Sequence, residues 1–287
     1  MTLYDLLNEG NAALQQAGDT DGENDAKLLL FEAFHLDLVH FLMDRLRPLS
    51  EQDAKVQEQI RTYREMIEKR ASRIPLQQIL GSQEFMGLEF YVNEHVLIPR
   101  QDTETLVELV LSEHKEKNIS LLDVCTGSGC IAISLAKLGG YTDVTALDLS
   151  EEALKVARSN GEKLLDQPVK FIKSDMFSAL NPEKQYNVIV SNPPYIPSQV
   201  IEGLEPEVKD HEPRMALDGE PDGLKFYRIL AEEGKKYLKN GGSIYMEIGW
   251  DQAKDVTEIF EAMGFSGLRT VRDMAGNNRV VCARKEK

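Results

Sequence analysis

A chain of 287 residues, 42% of them hydrophobic, can bury a sizeable core, and at ~100–200 residues per domain it points to two domains. A net charge of −15 and a pI near 4.9 argue against nucleic-acid binding driven by phosphates, which takes clustered Lys and Arg. No apolar run reaches membrane-spanning length, no basic and apolar leader opens the sequence, and three cysteines without framework spacing (Cys125, Cys130, Cys282) suit a reducing cytoplasm. The histidines are scattered. His35 and His40 could share a helix but have no Cys or acidic ligand set beside them, so no metal site is expected.

Residues 1–72 read as helical. Leu3, Leu6, Leu7 and Leu14 make one apolar face, and Asp25 is placed to cap a second helix carrying Leu28 to Phe31 and Phe34. A short third helix holds Leu38, Val39, Phe41, Leu42 and Met43 and ends before Pro48. Ser50, with Asp53 three residues on, opens a fourth, in which Val56, Ile60, Tyr63 and Ile67 form a helical stripe. This stretch has 8 Lys/Arg against 14 Asp/Glu, a charge of −6, so it is no grip for nucleic acid. It is open to two readings, a structural cap or a docking module for a macromolecular substrate. The second is favoured because the rest of the chain looks sufficient for chemistry.

Residues 73–99 change period. Phe85, Leu88, Phe90 and Val92, then Val96 and Ile98, predict a β-hairpin connector turned near Asn93-Glu94. Asp102 is placed to cap the next helix. From Ser120 onward short strands and helices alternate, which predicts an α/β, Rossmann-like, mostly parallel sheet of seven strands. The strands are expected at 121–124, 144–147, 169–172, 187–190, 243–248, 267–272 and 279–283. The last two are joined only by Gly276-Asn277-Asn278, too short for a helical crossover, so that pair should be antiparallel. The domain reading is thus 1–72 helical, 73–99 hairpin and 100–287 catalytic. Residues 196–222 form a long Pro/Gly/Glu-rich loop of the kind that carries function.

Two motifs stand in this second part. Cys125-Thr126-Gly127-Ser128-Gly129 runs from a strand into a helix, and its glycines permit a tight turn and close approach to a ligand. Asp148, nineteen residues after Gly129 at the end of the next strand, is placed to accept hydrogen bonds from ribose hydroxyls. Together they point to a nucleoside cofactor, although the glycines could simply turn the chain and Asp148 simply cap a helix. Asp175, followed by Met176 and Phe177, suits an adenine amino group beside apolar packing, and helix capping is open to it too. The second motif is Asn192-Pro193-Pro194-Tyr195. Two prolines stiffen the loop and remove two donors, and the Asn192 amide adds an acceptor. With Tyr195 near a flat face, the loop is suited to a planar, nitrogen-bearing group. A strand-ending turn is the plain alternative.

With these motifs in order, the sequence resembles Class I S-adenosylmethionine-dependent methyltransferases. Within them it is similar to the protein-(glutamine-N5) methyltransferases that modify peptide chain release factors, the PrmC/HemK family. The resemblance covers essentially the whole chain. It rests also on Ile98-Pro99-Arg100, Glu212-Pro213, Ala216-Leu217, Asp222-Gly223-Leu224 and Glu247-Ile248-Gly249. The chain departs from the family pattern at Gln101-Asp102, at Met176 and at Gly219-Glu220-Pro221. The resemblance implies that residues 125–129 approach the methionine part of S-adenosyl-L-methionine, Asp148 the ribose, and Asp175 with Met176 the adenine. It also implies that Asn192, Pro193 and Pro194 hold the glutamine amide of a Gly-Gly-Gln loop with Tyr195 packed against it. Asn192 would then touch cofactor and substrate alike. The implied partner is a release factor, with no nucleic acid and no membrane, and a monomer is expected. Amino-group methylation of DNA or RNA bases shares the Asn-Pro-Pro-Tyr signature, and a nicotinamide oxidoreductase would explain only the glycine loop and Asp148.

Overall fold

The computed structural model describes residues 1–50 and 52–286. The chain forms two compact units, Met1–Gly81 with Pro206–His211, and Ser82–Glu205 with Glu212–Lys287.

The first unit holds α1 (Leu3–Gln16), α2 (Gly22–Phe34), α3 (Leu38–Asp44), α4 (Ala54–Ala71) and α5 (Leu76–Leu80). A capping box starts α1: the Asp5 amide donates to Thr2 Oγ1 at 3.1 Å, and the Thr2 amide donates to Asp5 Oδ2 at 2.8 Å. Asp53, rather than Ser50, caps α4 by accepting from the Lys55 amide at 2.9 Å. Ile60, Tyr63 and Ile67 turn inward against Leu6, Leu14, Leu29 and Leu30, and the Tyr63 hydroxyl donates to the Leu6 carbonyl at 3.2 Å. Asp25 does not cap α2. The helix begins three residues earlier, and Asp25 lies buried within it, 2.7 Å from Arg70 Nε. Arg70 also pairs with Asp19 at 2.9 Å and Glu207 at 2.9 Å, and Arg73 pairs with Glu207 at 2.7 Å. A buried guanidinium left without partners would cost about 3–5 kcal/mol, which explains why carboxylates gather there instead of at a helix end.

The second unit starts with a hairpin, β1 (Ser82–Phe85) and β2 (Leu88–Tyr91), whose turn falls at Met86-Gly87 rather than near Asn93-Glu94. Both turn residues have positive φ, 54° and 71°, as a two-residue turn matched to strand twist requires. Val92, Val96 and Ile98 are buried but lie in a loop with no strand partner. Then follow α6 (Gln101–Glu113), β3 (Ser120–Val124), α7 (Cys130–Gly139), β4 (Asp143–Asp148), α8 (Glu151–Leu164), β5 (Lys170–Lys173) and β6 (Tyr186–Ser191). The N-cap of α6 is Arg100, so Asp102 sits in its first turn, where it pairs with Arg279 at 2.9 Å. After β6 come the short α9 (Ser198–Ile201), α10 (Pro206–Lys209) and α11 (Arg214–Leu217), of which α10 belongs to the helical unit. The chain closes with α12 (Lys225–Tyr237), β7 (Leu238–Glu247), α13 (Ala253–Ala262), β8 (Phe265–Arg272) and β9 (Asn278–Lys285).

The seven strands run in the order β5-β4-β3-β6-β7-β9-β8. Those from β5 to β7 are parallel, and β9 runs antiparallel to both its neighbours. Such strands are covered on both faces and read as near-continuous apolar runs. One core packs one set of alternating residues of β3, β4, β6, β7 and β9 against α6 and α7, and the other packs the opposite set against α12 and α13. The strand order turns back between β3 and β6, so their following loops diverge and leave a crevice at the carboxyl end of the sheet. Both motifs singled out by the sequence are those loops. No helix among the described residues is long and apolar enough to cross a membrane.

Candidate active site

The glycine loop leaves β3 through residues with positive φ: Cys125 at 64°, Gly127 at 56° and Gly129 at 82°. At Gly129 a Cβ would lie 2.9 Å from Ile133 Cδ1 and 3.2 Å from Ala157 Cβ, so this glycine lets α7 and α8 pack closely. Asp148 crosses to the loop and accepts from the Gly127 amide at 2.8 Å and from the Ser150 amide at 2.9 Å. Burial pushes its carboxyl up, while backbone N–H groups, including those of Ser150 and Gly127, pull it back. The cap of α8 itself is Ser150, which accepts from the Ala153 amide at 3.2 Å. Beneath the loop, fully buried Asp123 accepts from the Thr126 hydroxyl at 2.6 Å, and burial raises its carboxyl to about 7. Asp175 caps no helix, because a turn follows β5. Ser174 holds that turn through the Met176 carbonyl at 2.7 Å and the Ala179 amide at 3.1 Å, and Met176 has a φ of 46°. Non-glycine residues held at positive φ cluster at functional sites, and Cys125 and Met176 face each other with their sulfurs 3.9 Å apart.

The Asn-Pro-Pro-Tyr loop is fastened from below by side chains. Ser191 donates to the Val124 carbonyl at 2.7 Å, tying it to the glycine loop. Gln252 donates to the Tyr195 carbonyl at 2.9 Å and to the Gly223 carbonyl at 3.3 Å. At Gly223, where φ is 72°, a Cβ would come 2.4 Å from the Tyr195 carbonyl, so only glycine lets the long loop fold back here. Tyr195 packs on the second core and its hydroxyl donates to Glu247 Oε1 at 3.2 Å. Burial, with Glu247 beside it, holds that phenol protonated. Asn192 Nδ2 donates to Thr103 Oγ1 at 3.4 Å. No donor among the described residues takes the Pro193 carbonyl.

These loops meet in one pocket. Cys125, Thr126, Gly127, Ser128, Asp148, Asp175, Met176, Asn192 and Pro194 all line it. Gly129, Pro193 and Tyr195 are not among the lining side chains: the first packs two helices, and Tyr195 props the loop from behind. The wall also includes Thr103, Arg100, Pro213 and Met215. Arg100 pairs with Glu212 through a single nitrogen, Nη2, 2.8 Å from each carboxylate oxygen, and the Ile98 amide adds a third contact at 3.3 Å. Burial raises the Glu212 carboxyl and Arg100 lowers it. Sequence reading assigned no role to Thr103, Glu212, Glu247 or Gln252. Glu212 and Glu247 carry a signal of their own, as single acids beside proline or between apolar residues and glycine. Gln252 carries none.

A seven-stranded sheet with this crevice, its glycine loop and β4 acid on one side and a stiff carboxamide loop on the other, is the arrangement of a methyltransferase domain. The family model for the methyltransferase small domain matches residues 101–203, and that for the PrmC N-terminal domain matches 5–81. A methyltransferase from Pyrococcus furiosus shares the fold, with a TM-score of 0.55 at 20% identity over 77% of this chain and 100% of its own. A release factor glutamine methyltransferase from Clostridium botulinum is 39% identical over 99% of this chain and 100% of its own length. One from Geobacter sulfurreducens is 38% identical over 99% of this chain and 96% of its own. The chain belongs to the release factor glutamine methyltransferase family.

Proposed function

We propose that this protein transfers a methyl group from S-adenosyl-L-methionine to the side-chain amide nitrogen (N5) of the glutamine in the Gly-Gly-Gln motif of peptide chain release factors. The observation that carries the proposal is the convergence of the glycine loop, Asp148 and Asn192 on one pocket. The named substrates of the relatives support the choice of acceptor. Base methylation of DNA or RNA is not favoured, given those relatives and a net charge of −15.

The pocket fits the cofactor on its own chemistry. Ser128 lines it, and its hydroxyl is buried with no partner among the described residues beyond the Cys130 thiol, which leaves a polar group at the glycine loop for a ligand. Asp148 offers acceptor capacity for ribose hydroxyls, and Asp175 with Met176 and Phe226 offers an acceptor beside apolar walls for an adenine. When bound, S-adenosyl-L-methionine supplies a methyl carbon activated by its sulfonium.

The acceptor amide is a poor nucleophile because its lone pair is delocalised into the carbonyl. Neither Asn192 nor the Pro193 carbonyl is a base, so the loop works by orientation. Asn192 Oδ1 and the Pro193 carbonyl accept the two N–H bonds of the glutamine amide, aim its lone pair, and stabilise charge gathering on nitrogen. Orientation of this kind contributes roughly 7–11 kcal/mol in well-aligned systems. The proton leaves to water after the C–N bond forms.

The helical unit is the docking module in this reading. Leu38, Val39, Leu42 and Met43 on α3, with Leu46 just beyond, are each more than half exposed, a large apolar face for a small bundle. Replacing Leu42 and Met43 by aspartate is expected to raise the KM for release factor and spare cofactor affinity; an unchanged KM removes this face from the reading. The reaction itself is tested by incubating the protein with labelled S-adenosyl-L-methionine and purified release factor, then mapping the label by mass spectrometry. Label on the Gly-Gly-Gln glutamine supports the proposal, and label elsewhere or none contradicts it.

A further inference from the structure

Arg100 is the only arginine or lysine among the described residues that lines the pocket. It is the N-cap of α6, and Thr103, one turn further on, accepts from Asn192 Nδ2 at 3.4 Å, so Arg100 stands on the acceptor side. Its guanidinium is only partly engaged. Nη2 alone meets Glu212, 2.8 Å from each carboxylate oxygen, and no acceptor among the described residues takes Nε or Nη1. Glu212 is fixed where it is: its side chain is 1% exposed, and Oε1 also accepts from the Ile98 amide at 3.3 Å. The Arg100 side chain, by contrast, is 42% exposed and open to the pocket. An arginine that served only to neutralise a buried acid would do so best with two nitrogens, one for each oxygen. Here the acid holds one corner of a planar fork and leaves the other two nitrogens for something else.

We propose that Arg100 is a substrate-binding residue whose Nε and Nη1 donate to a main-chain carbonyl of the acceptor peptide beside the glutamine. This rests on the reading of Asn192 as the amide clamp. The clamp accepts both N–H bonds of the glutamine and offers nothing to the carbonyls of the chain that carries it, so those enter the pocket in need of donors. The glycines before the glutamine have no side chain, so their carbonyls can come close to a planar fork. With Glu212 attached the pair is neutral overall, which suits a neutral carbonyl and gives little attraction to an anion such as the cofactor carboxylate or a phosphate. The glutamine's own Oε1 is the wrong partner, because a cation there would draw the nitrogen lone pair further into the carbonyl and weaken the nucleophile. A contact with the main chain is made equally before and during the transfer, so it shows in KM rather than in kcat.

The test compares wild type with Arg100→Lys, which keeps one charged nitrogen for Glu212 and removes the rest of the fork. Arg100→Lys is expected to raise the KM for release factor roughly 10- to 100-fold, the range of a lost charge-assisted hydrogen bond, with kcat and the Kd for S-adenosylhomocysteine within about threefold of wild type. An unchanged KM overturns the inference. So does weaker binding of S-adenosylhomocysteine, which would assign Arg100 to the cofactor carboxylate, or a change confined to kcat, which would assign it to the reacting amide. Should Arg100→Lys not fold, the double variant Arg100→Met with Glu212→Gln, which leaves no buried charge unpaired, carries the same criteria. Asn192→Ala, run in parallel, separates the two ideas. If it keeps turnover, the clamp reading itself fails. If it abolishes turnover while Arg100→Lys leaves the KM unchanged, only the role of Arg100 falls.

Discussion

The two halves of the pocket are built by different means. On the side proposed to take the cofactor, the loops after β3, β4 and β5 are held mostly through backbone groups at shorter range: Asp148 takes the amides of Gly127 and Ser150, 21 and 2 residues away, and Ser174 takes its own turn. On the acceptor side, the loop after β6 is held by side chains from far along the chain: Thr103, Glu247 and Gln252 lie 89, 52 and 57 residues from their partners in it. A ligand met by backbone N–H groups and one acid needs only a short local motif. A carboxamide aimed at one carbon needs a rigid support, and rigidity comes from packing against several elements at once. The two sides should therefore fail separately.

The largest expected separation is at Asn192. Asn192→Ala is expected to lower kcat by at least about 100-fold, as for loss of one preorganised polar group at a reacting centre, while calorimetry finds the S-adenosylhomocysteine Kd within about threefold. Asp148→Asn is expected to do the reverse. Loss of charge-assisted hydrogen bonds should weaken cofactor binding roughly 10- to 100-fold, with kcat at saturating cofactor much less affected. Equal effects of the two variants on kcat and Kd would erase the distinction between the halves.

Gly223→Ala sharpens it further. A methyl 2.4 Å from the Tyr195 carbonyl at a φ of 72° must push the acceptor loop out of place. Denaturant unfolding is expected to show about 1–3 kcal/mol lost, and kinetics a lower kcat with cofactor affinity spared.

A pH-dependent effect lies under the side proposed to take the cofactor. Asp123 has a carboxyl raised to about 7 from an ordinary 3.8. Below pH ~4 both folded and unfolded chains hold its proton, and the group costs nothing. As pH rises towards 7 the unfolded chain ionises first, so this group's contribution to stability is lost at up to about 1.4 kcal/mol per pH unit and then levels off. Unfolding of wild type and Asp123→Asn between pH 5.5 and 8 should therefore diverge as pH rises to 7, the wild type losing more, with no further divergence above. Parallel curves would contradict this.

The same contrast explains what was legible in the sequence. Short apolar strands, the glycine loop, the β4 acid and the antiparallel final pair are written in near neighbours, and each appears where its spacing puts it. The hairpin turn was obscured because apolar residues continue through Val92, Val96 and Ile98, burying themselves without pairing. Asp25 and Asp102 have the composition of helix caps, but a distant arginine, Arg70 or Arg279, claims each. Three short helices within 196–222 escape detection because four residues carry no period. Asn192 could be seen from its prolines. The Thr103, Glu247 and Gln252 support could not, because residues so far apart meet only once the sheet has formed.

The account centres on an uncharged clamp that accepts both N–H bonds of a side-chain amide. Its most direct test is a crystal structure of the protein with S-adenosylhomocysteine and a peptide bearing the Gly-Gly-Gln motif. The glutamine nitrogen is expected about 3 Å from both Asn192 Oδ1 and the Pro193 carbonyl, with its lone pair towards the sulfur. A glutamine bound elsewhere, or Asn192 presenting Nδ2 to it, would contradict the account.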